Sequence, residues 1–351
     1  APAGSGRFVN ATRKQGVRYR DVRFMPDGKN LVALSDASGE FEFVTLPGNG
    51  VGDEKALTSD GKVLRFDGRP SPDGKWIAYT DNNNGVWLFN VATKEQRMIA
   101  PNREGGAEFA WASDSRWVAW SQNAANSFTQ ILIHNVETKS TTAVTSDRVN
   151  SQSAAWSADG KWLYFLSDRN LESVVQAPWG PRAPQPFFDR PMKLYQVALK
   201  KGLRSPFKPV DELHPEAAEG AEAKTDAKPA SSPAPSPTPT SAPTTAVGKA
   251  AAAPSPAPAA SPAPKPAVAN IDIDLDGLAG RLYEVTPAGS GDFRDLSVTA
   301  KNLFWLASDP GAEGKTHLMS LEIGNKDPKP KTGLQVSPWV SADSAGVYGT
   351  F

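Results

Sequence analysis

Apolar residues along this chain come in short runs, each closed by polar turn residues. Trp76-Ile77-Ala78-Tyr79-Thr80, Val86-Trp87-Leu88-Phe89 and Gln96-Arg97-Met98-Ile99 follow one another with only turn-forming segments between them. Runs this short and rich in aromatic and β-branched residues predict strands. Ser71-Pro72-Asp73-Gly74 precedes the first run. Proline pre-sets φ, aspartate bonds its own backbone and glycine takes positive φ, so this segment predicts a tight hairpin turn. Asp81-Asn82-Asn83-Asn84-Gly85 predicts the next turn, and Val91-Ala92-Thr93-Lys94-Glu95 the outer connection to a fourth strand.

The same pattern recurs. Val22-Arg23-Phe24-Met25-Pro26-Asp27-Gly28-Lys29, Arg69-Pro70-Ser71-Pro72-Asp73-Gly74-Lys75-Trp76, Ala110-Trp111-Ala112-Ser113-Asp114-Ser115-Arg116-Trp117 and Ala155-Trp156-Ser157-Ala158-Asp159-Gly160-Lys161-Trp162 are copies of one another. Their aspartates, Asp27, Asp73, Asp114 and Asp159, lie 46, 41 and 45 residues apart. Gln130-Ile131-Leu132-Ile133-His134 repeats the third strand, and Asn135-Val136-Glu137-Thr138-Lys139 repeats Asn90-Val91-Ala92-Thr93-Lys94. A period of about 40–45 residues with four strands per repeat predicts propeller blades, which bury their faces only against one another. Nine of the ten tryptophans fall in or beside these repeats or their later relatives, which favours packing between blades over a ligand cage; Trp179 stands apart in a Pro-rich excursion.

Residues 216–269 break the pattern. They contain no aromatic residue and no Leu, Ile or Met, and twelve prolines lie between Pro229 and Pro266. Such material cannot bury enough apolar surface to offset its ordering entropy, so it is expected to be a disordered, locally extended surface insertion. A docking segment for a proline-recognising partner is the functional alternative. Beyond it, Ile271, Ile273 and Leu275 alternate with Asp272, Asp274 and Asp276, a strand pattern. Leu296-Ser297-Val298, Leu303-Phe304-Trp305-Leu306 and His317-Leu318-Met319-Ser320-Leu321 predict three strands of a further blade, and Val336 to Ser344 restarts the motif. The expected layout is therefore a leading segment or blade remnant (1–18), blades (19–215), the insertion (216–269) and further blades cut mid-blade (270–351). A ring cut inside a blade leaves open strand edges, so the chain is expected to be a truncated piece of a larger protein.

Charge is balanced, with 38 basic and 38 acidic residues, which disfavours a nucleic-acid partner or a polybasic membrane patch. No apolar run approaches the ~18–20 residues of a membrane span. Cysteine is absent, so disulfide and thiolate chemistry are excluded. Asp272-x-Asp274-x-Asp276-Gly277 begins like a calcium loop, but position 283, where glutamate is required, is tyrosine. A solvated strand face is the simpler reading. His134, His214 and His317 are far apart in sequence and in no metal spacing. Gly48-Asn49-Gly50-Val51-Gly52 precedes no helix and reads as an inter-strand turn. No Gly-x-Ser-x-Gly, His-Glu-x-x-His or Walker motif is present, so no catalytic, cofactor-binding or metal residue is assigned, and no cofactor is expected. The long excursion after Ser167-Asp168-Arg169-Asn170, through Trp179 to Arg182 and Pro186 to Arg190, is a candidate rim-binding loop or a loop packed on the blade edge.

Thr145-Ser146-Asp147-Arg148, the run from Ala155 to Asn170, Ser205-Pro206-Phe207 and Ile273-Asp274-Leu275-Asp276-Gly277-Leu278-Ala279-Gly280-Arg281 together resemble the propeller region of tricorn-type serine proteases, in the same order. The resemblance implies a non-catalytic propeller of a large serine peptidase, gating or channelling peptides to a PDZ-like domain and catalytic core absent from this chain. The partners it implies are peptide or unfolded protein substrates, the catalytic domains of the same chain, and further copies in a homo-oligomer of the full-length protein. It implies an enzyme only for the full-length protein. The location expected is cytoplasmic, with a periplasmic or exported protein as the alternative. A stand-alone propeller scaffold for protein–protein interaction, with no hydrolytic activity, is the competing reading.

Overall fold

The computed structural model describes residues 9–101, 107–169, 192–209, 211–212, 270–309, 315–324, 326–336, 341–343 and 346–348. Within them the chain forms antiparallel sheets that follow the repeat. Blade A comprises β1 (Tyr19–Phe24), β2 (Asn30–Ser35), β3 (Glu42–Pro47) and β4 (Lys55–Ala56). Blade B comprises β5 (Arg65–Pro70), β6 (Trp76–Asp81), β7 (Gly85–Asn90) and β8 (Gln96–Pro101). Blade C comprises β9 (Ala110–Trp111), β10 (Trp117–Asn123), β11 (Thr129–Asn135) and β12 (Ser140–Ala143). Blade D runs through β13 (Ser151–Trp156), β14 (Trp162–Ser167) and β15 (Met192–Ala198), and its fourth strand is β16 (Leu282–Glu284). Blade E holds β17 (Ser290–Val298), β18 (Asn302–Ser308), β19 (Thr316–Glu322) and β20 (Lys331–Val336), followed by the hairpin β21 (Ser341–Asp343) and β22 (Gly346–Tyr348). Residues 216–269 thus fall between the third and fourth strands of blade D; the expectation of disorder there lies outside the described residues.

The apolar runs are continuous rather than alternating because both faces of each blade are buried, and the period of two sends successive side chains to opposite neighbours. In β14, Leu163 and Phe165 pack with Trp117, Ala119, Ile131 and Ile133 of blade C. Trp162, Tyr164 and Leu166 pack with Phe293, Val298, Leu303 and Trp305 of blade E. In β6, Ile77 and Tyr79 meet Val32, Leu34 and Phe43 of blade A, while Ala78 meets Val118 and Trp120 of blade C. Each fully buried large side chain contributes about 1.5–3 kcal/mol, so neighbouring blades stabilise one another through these shared clusters.

The Asp-Gly turns form as their residues dictate. Ser71 Oγ donates to Asp73 Oδ1 at 2.6 Å and accepts the Trp76 N–H at 3.0 Å. Ser157 does the same with Asp159 (2.6 Å) and Trp162 (2.9 Å). The turn glycine of blade D, Gly160, has φ of 68°, and in blade C Ser115 takes that conformation at 60°.

One expectation is corrected. Ile271 to Leu275 is not a strand. Its alternation is genuine, with Ile271 and Ile273 buried, but the outer edge of β15 is already taken by β16 and by Ser290 and Gly291 of β17. The segment is instead anchored by single bonds: Asp274 N–H to Leu199 O at 2.9 Å and Ile271 N–H to Asp114 Oδ2 at 2.7 Å.

Candidate functional site on the inner strands

The first strands of successive blades approach one another: β1 with β5, β9 with β13, and β13 with β17. In a propeller these are the strands around the axis. Four of them carry the same irregularity. The register shifts between Arg20 and Arg23 in β1, Phe66 and Arg69 in β5, Gln152 and Ala155 in β13, and Arg294 and Ser297 in β17. At each shift one non-glycine residue adopts positive φ: Asp21 (50°), Asp67 (67°), Ser153 (53°) and Asp295 (53°). A bulge re-aims a side chain, and aspartate is among the residues that best tolerate this backbone region. Aligning Trp111 with Trp156 places Glu108 at the equivalent position of blade C. Four of the five blades therefore present a carboxyl at this position, three on the inner strand and Glu108 just before β9.

These positions touch their counterparts. The Asp67 N–H donates to Asp21 Oδ2 at 3.3 Å, and Ser153 Oγ donates to Glu108 Oε2 at 3.1 Å. The charges are not equally compensated. Arg294 Nη1 pairs with Asp295 Oδ2 at 2.9 Å. Burial pushes the Asp67 carboxyl up and Asp21 adds to this, while Arg23 and Arg69 oppose it. Glu108 has no cation beside it among the described residues. Desolvation pushes its carboxyl up, Ser153 opposes through its hydrogen bond, and Asp295 and Asp67 add repulsion. It nevertheless remains exposed to solvent, the mark of a group that lines a concavity.

The residues singled out in the sequence lie elsewhere. His134 is buried where blades B and C meet; its Nδ1 lies 2.9 Å from Thr141 Oγ1, and Thr141 Oγ1 in turn donates to Ile99 O at 3.1 Å. Burial, helped by Arg97, pushes the imidazole down to about 4, so it is neutral at pH 7. His317 Nε2 lies 3.1 Å from Asp309 Oδ2; His214 falls outside the described residues. The three aspartates of the calcium-like motif are taken up by lysines: Lys200 pairs with Asp272 and with Asp274 (3.5 Å), and Lys201 with Asp276 (3.1 Å). Gly48 to Gly52 lies in the turn region between β3 and β4, as expected. The excursion from Asn170 to residue 191, with Trp179, lies outside the described residues. Among the described residues no group of three or more His, Cys, Asp or Glu is placed to hold a metal ion, and no helix is long and apolar enough to cross a membrane.

Among the described residues, two tryptophans join neighbouring blades through their indole N–H groups. Trp111 Nε1 donates to Arg69 O at 3.0 Å and Trp156 Nε1 to Ala110 O at 2.9 Å, the same bond one blade further on. Trp117 Nε1 reaches Ile271 O at 3.1 Å. The joint between blades A and B also carries a buried ionic network. Arg65, with a fully buried side chain, binds Glu42 at 3.0 Å and Asp60. Glu42 accepts bonds from the Thr58 hydroxyl and from Gly61 N–H at 2.6 Å.

Sequence reasoning passed over the inner-strand carboxyls because it compared the repeats from the turn forwards. Extending the comparison a few residues towards the N-terminus brings Asp21, Asp67, Glu108 and Ser153 into one column.

The profile of the family described as the tricorn protease second beta propeller domain matches residues 1–332. A putative tricorn-like protease C-terminal subunit of Sulfurisphaera tokodaii is 30% identical over 118 residues, 33% of this chain and 13% of that protein. A tricorn protease homolog of Saccharolobus solfataricus is 28% identical over 118 residues, 33% of this chain and 10% of that protein. The crystal structure of the tricorn protease superposes with a TM-score of 0.66 at 14% identity, covering 94% of this chain and 28% of that one. The chain therefore corresponds to a minor part of the length of the proteins it resembles.

Proposed function

Since the chain belongs to the family of the tricorn protease second β-propeller domain, we propose that it is the non-catalytic propeller of a tricorn-like serine peptidase and passes peptide substrates along its axis to a catalytic core. The observation that carries this reading is the inner face itself. Five successive blades place a polar or acidic side chain at equivalent positions, four of them through a bulge in the inner strand held in a disfavoured backbone conformation and the fifth, Glu108, just before β9. Such conformations cost on the order of 1–3 kcal/mol each and cluster at functional sites. The blade-to-blade faces, by contrast, are largely apolar and used for packing.

In this reading the chemistry is acyl transfer in the core: serine attack, a tetrahedral intermediate held by backbone donors, then hydrolysis. The propeller contributes selection and orientation of the peptide before it arrives. Peptides or unfolded proteins are its substrates, and the catalytic domains of the same chain and further copies of the full-length protein are its partners. The cysteine-free sequence suits a reducing cytoplasm. The test is a peptidase assay on the purified chain and on the full-length protein. The full-length protein is expected to cleave unfolded peptides and to be silenced by serine-directed reagents, while this chain alone is inactive. Serine-reagent-sensitive cleavage by the chain alone would overturn the assignment.

A further inference from the structure

A cavity of about 300 Å3 opens beside Glu108 at one end of blade C. Its walls include Asp67 from β5, Glu108, Ser121 and Asn123 from β10, Thr129 from β11 and Gln152 from β13. We propose that this cavity binds the positively charged side chain of a peptide, a lysine ammonium or an arginine guanidinium. The inference rests on the reading of the propeller axis as a peptide path and adds to it a preference among peptides.

Three observations carry it. The first is the uncompensated charge. Asp67 has Arg23 and Arg69 nearby and Asp295 is paired with Arg294, but among the described residues Glu108 is met by Ser153, through its hydroxyl and its backbone, and by two other carboxyls. A carboxylate crowded by like charges is disfavoured, and a bound cation relieves that repulsion. The second is the equivalence of Glu108 and Ser153. Blade D fills the same position with a serine, so folding of a blade does not require a charge there. The third is independent of the acids. Ser121 is 8% exposed, and its hydroxyl has no hydrogen-bond partner. A buried hydroxyl left unpaired calls for an explanation, and a donor brought by a ligand would supply its partner.

The remaining lining groups suit a cation. Gln122 is held in place by the Trp120 indole N–H, which donates to its Oε1 at 2.8 Å. Thr129 Oγ1 donates to Asn123 Oδ1 at 3.0 Å. A carboxamide oxygen such as Gln122 Oε1 can accept more than one N–H donor, which suits a guanidinium or ammonium. Two carboxyls in the cavity oppose an anion, and they are too few, without a third ligand, for a calcium cage.

The experiment is fluorescence-anisotropy titration of this chain with two labelled, terminally blocked peptides that differ at one position, arginine in one and its neutral isostere citrulline in the other. Wild type, Glu108→Gln and Ser121→Ala are compared, with circular dichroism checking the fold. The arginine peptide is expected to bind wild type about tenfold or more tightly than the citrulline peptide, a ratio equivalent to about 1.4 kcal/mol. Glu108→Gln should erase that preference, Ser121→Ala should reduce it, and added salt should weaken it. Equal binding of both peptides to wild type overturns the cation site while leaving the peptide path intact. A preference unchanged in Glu108→Gln overturns the assignment to this cavity. Absence of binding by either peptide overturns the site, and the peptide path is then judged by cleavage in the full-length protein.

Discussion

Ser153 donates its hydroxyl to Glu108 Oε2 at 3.1 Å, and the two residues hold equivalent positions in the repeats of neighbouring blades. One blade thus fills this position with a neutral donor and the next with a carboxylate. The fold tolerates either, which separates the charge from the architecture.

That separation gives a stability prediction. The folded state holds the Glu108 carboxyl above its ordinary value of 4.5, chiefly through desolvation. A raised carboxyl makes stability fall as pH rises from the ordinary value through the folded one, because the native state binds the proton more tightly. Glu108→Gln should therefore raise the melting temperature at pH 8, with the gain fading by pH 4. Thermal unfolding of both proteins at the two pH values checks this; a lower melting temperature for the variant at pH 8 would contradict it.

His134 titrates with the opposite consequence. Burial first, then Arg97, lowers it from 6.5 to about 4 in the folded state. The unfolded chain takes up the proton first, so stability is full above about pH 6.5 and declines as pH falls towards 4. The loss is on the order of 3 kcal/mol. Urea unfolding between pH 7.5 and 4.5 should show this decline, and His134→Gln should flatten it.

The Arg65 network pins blade A to blade B. Removing Glu42 as Glu42→Ala leaves a fully buried guanidinium short of a partner, with Asp60 still beside it. Loss of one member of a buried pair costs about 3–5 kcal/mol. The urea midpoint should fall accordingly. Asp60→Asn should cost less, since its carboxylate is partly solvated.

Two turn glycines separate backbone strain from crowding. A β-carbon on Gly28 meets nothing within 4 Å, whereas one on Gly160 comes within 2.6 Å of Ile271 Cγ1. Both hold positive φ, 65° and 68°, so Gly28→Ala should cost only the conformational penalty of about 1–2 kcal/mol. Gly160→Ala should cost clearly more, and paired melting curves measure the difference.

The blades were legible because their signals are local. Asp-Gly turns such as Asp73-Gly74 and doubly buried runs such as Trp162 to Leu166 announce strands without reference to distant partners. Ile271 to Leu275 misled because alternation reports burial, not pairing, and the edge it would join is occupied by Leu282 to Glu284. That Glu284, far along the chain, completes the sheet begun at Ser151 is a long-range fact with no local signature. The inner-strand carboxyls were hidden for a related reason. Asp21, Asp67 and Asp295 are single polar residues in bulged strands, and only their convergence around the axis gives them a common surroundings.

Obstruction of the axis tests the central claim most directly. In the full-length protein, Gln152→Cys places a thiol at the wall of the inner-strand cavity, and a bulky polyethylene-glycol maleimide then attaches there. If peptides reach the core through this propeller, labelling should suppress cleavage of a long unfolded peptide several-fold relative to the same variant before labelling. Unchanged cleavage after complete labelling would contradict the account and send the substrate by another route.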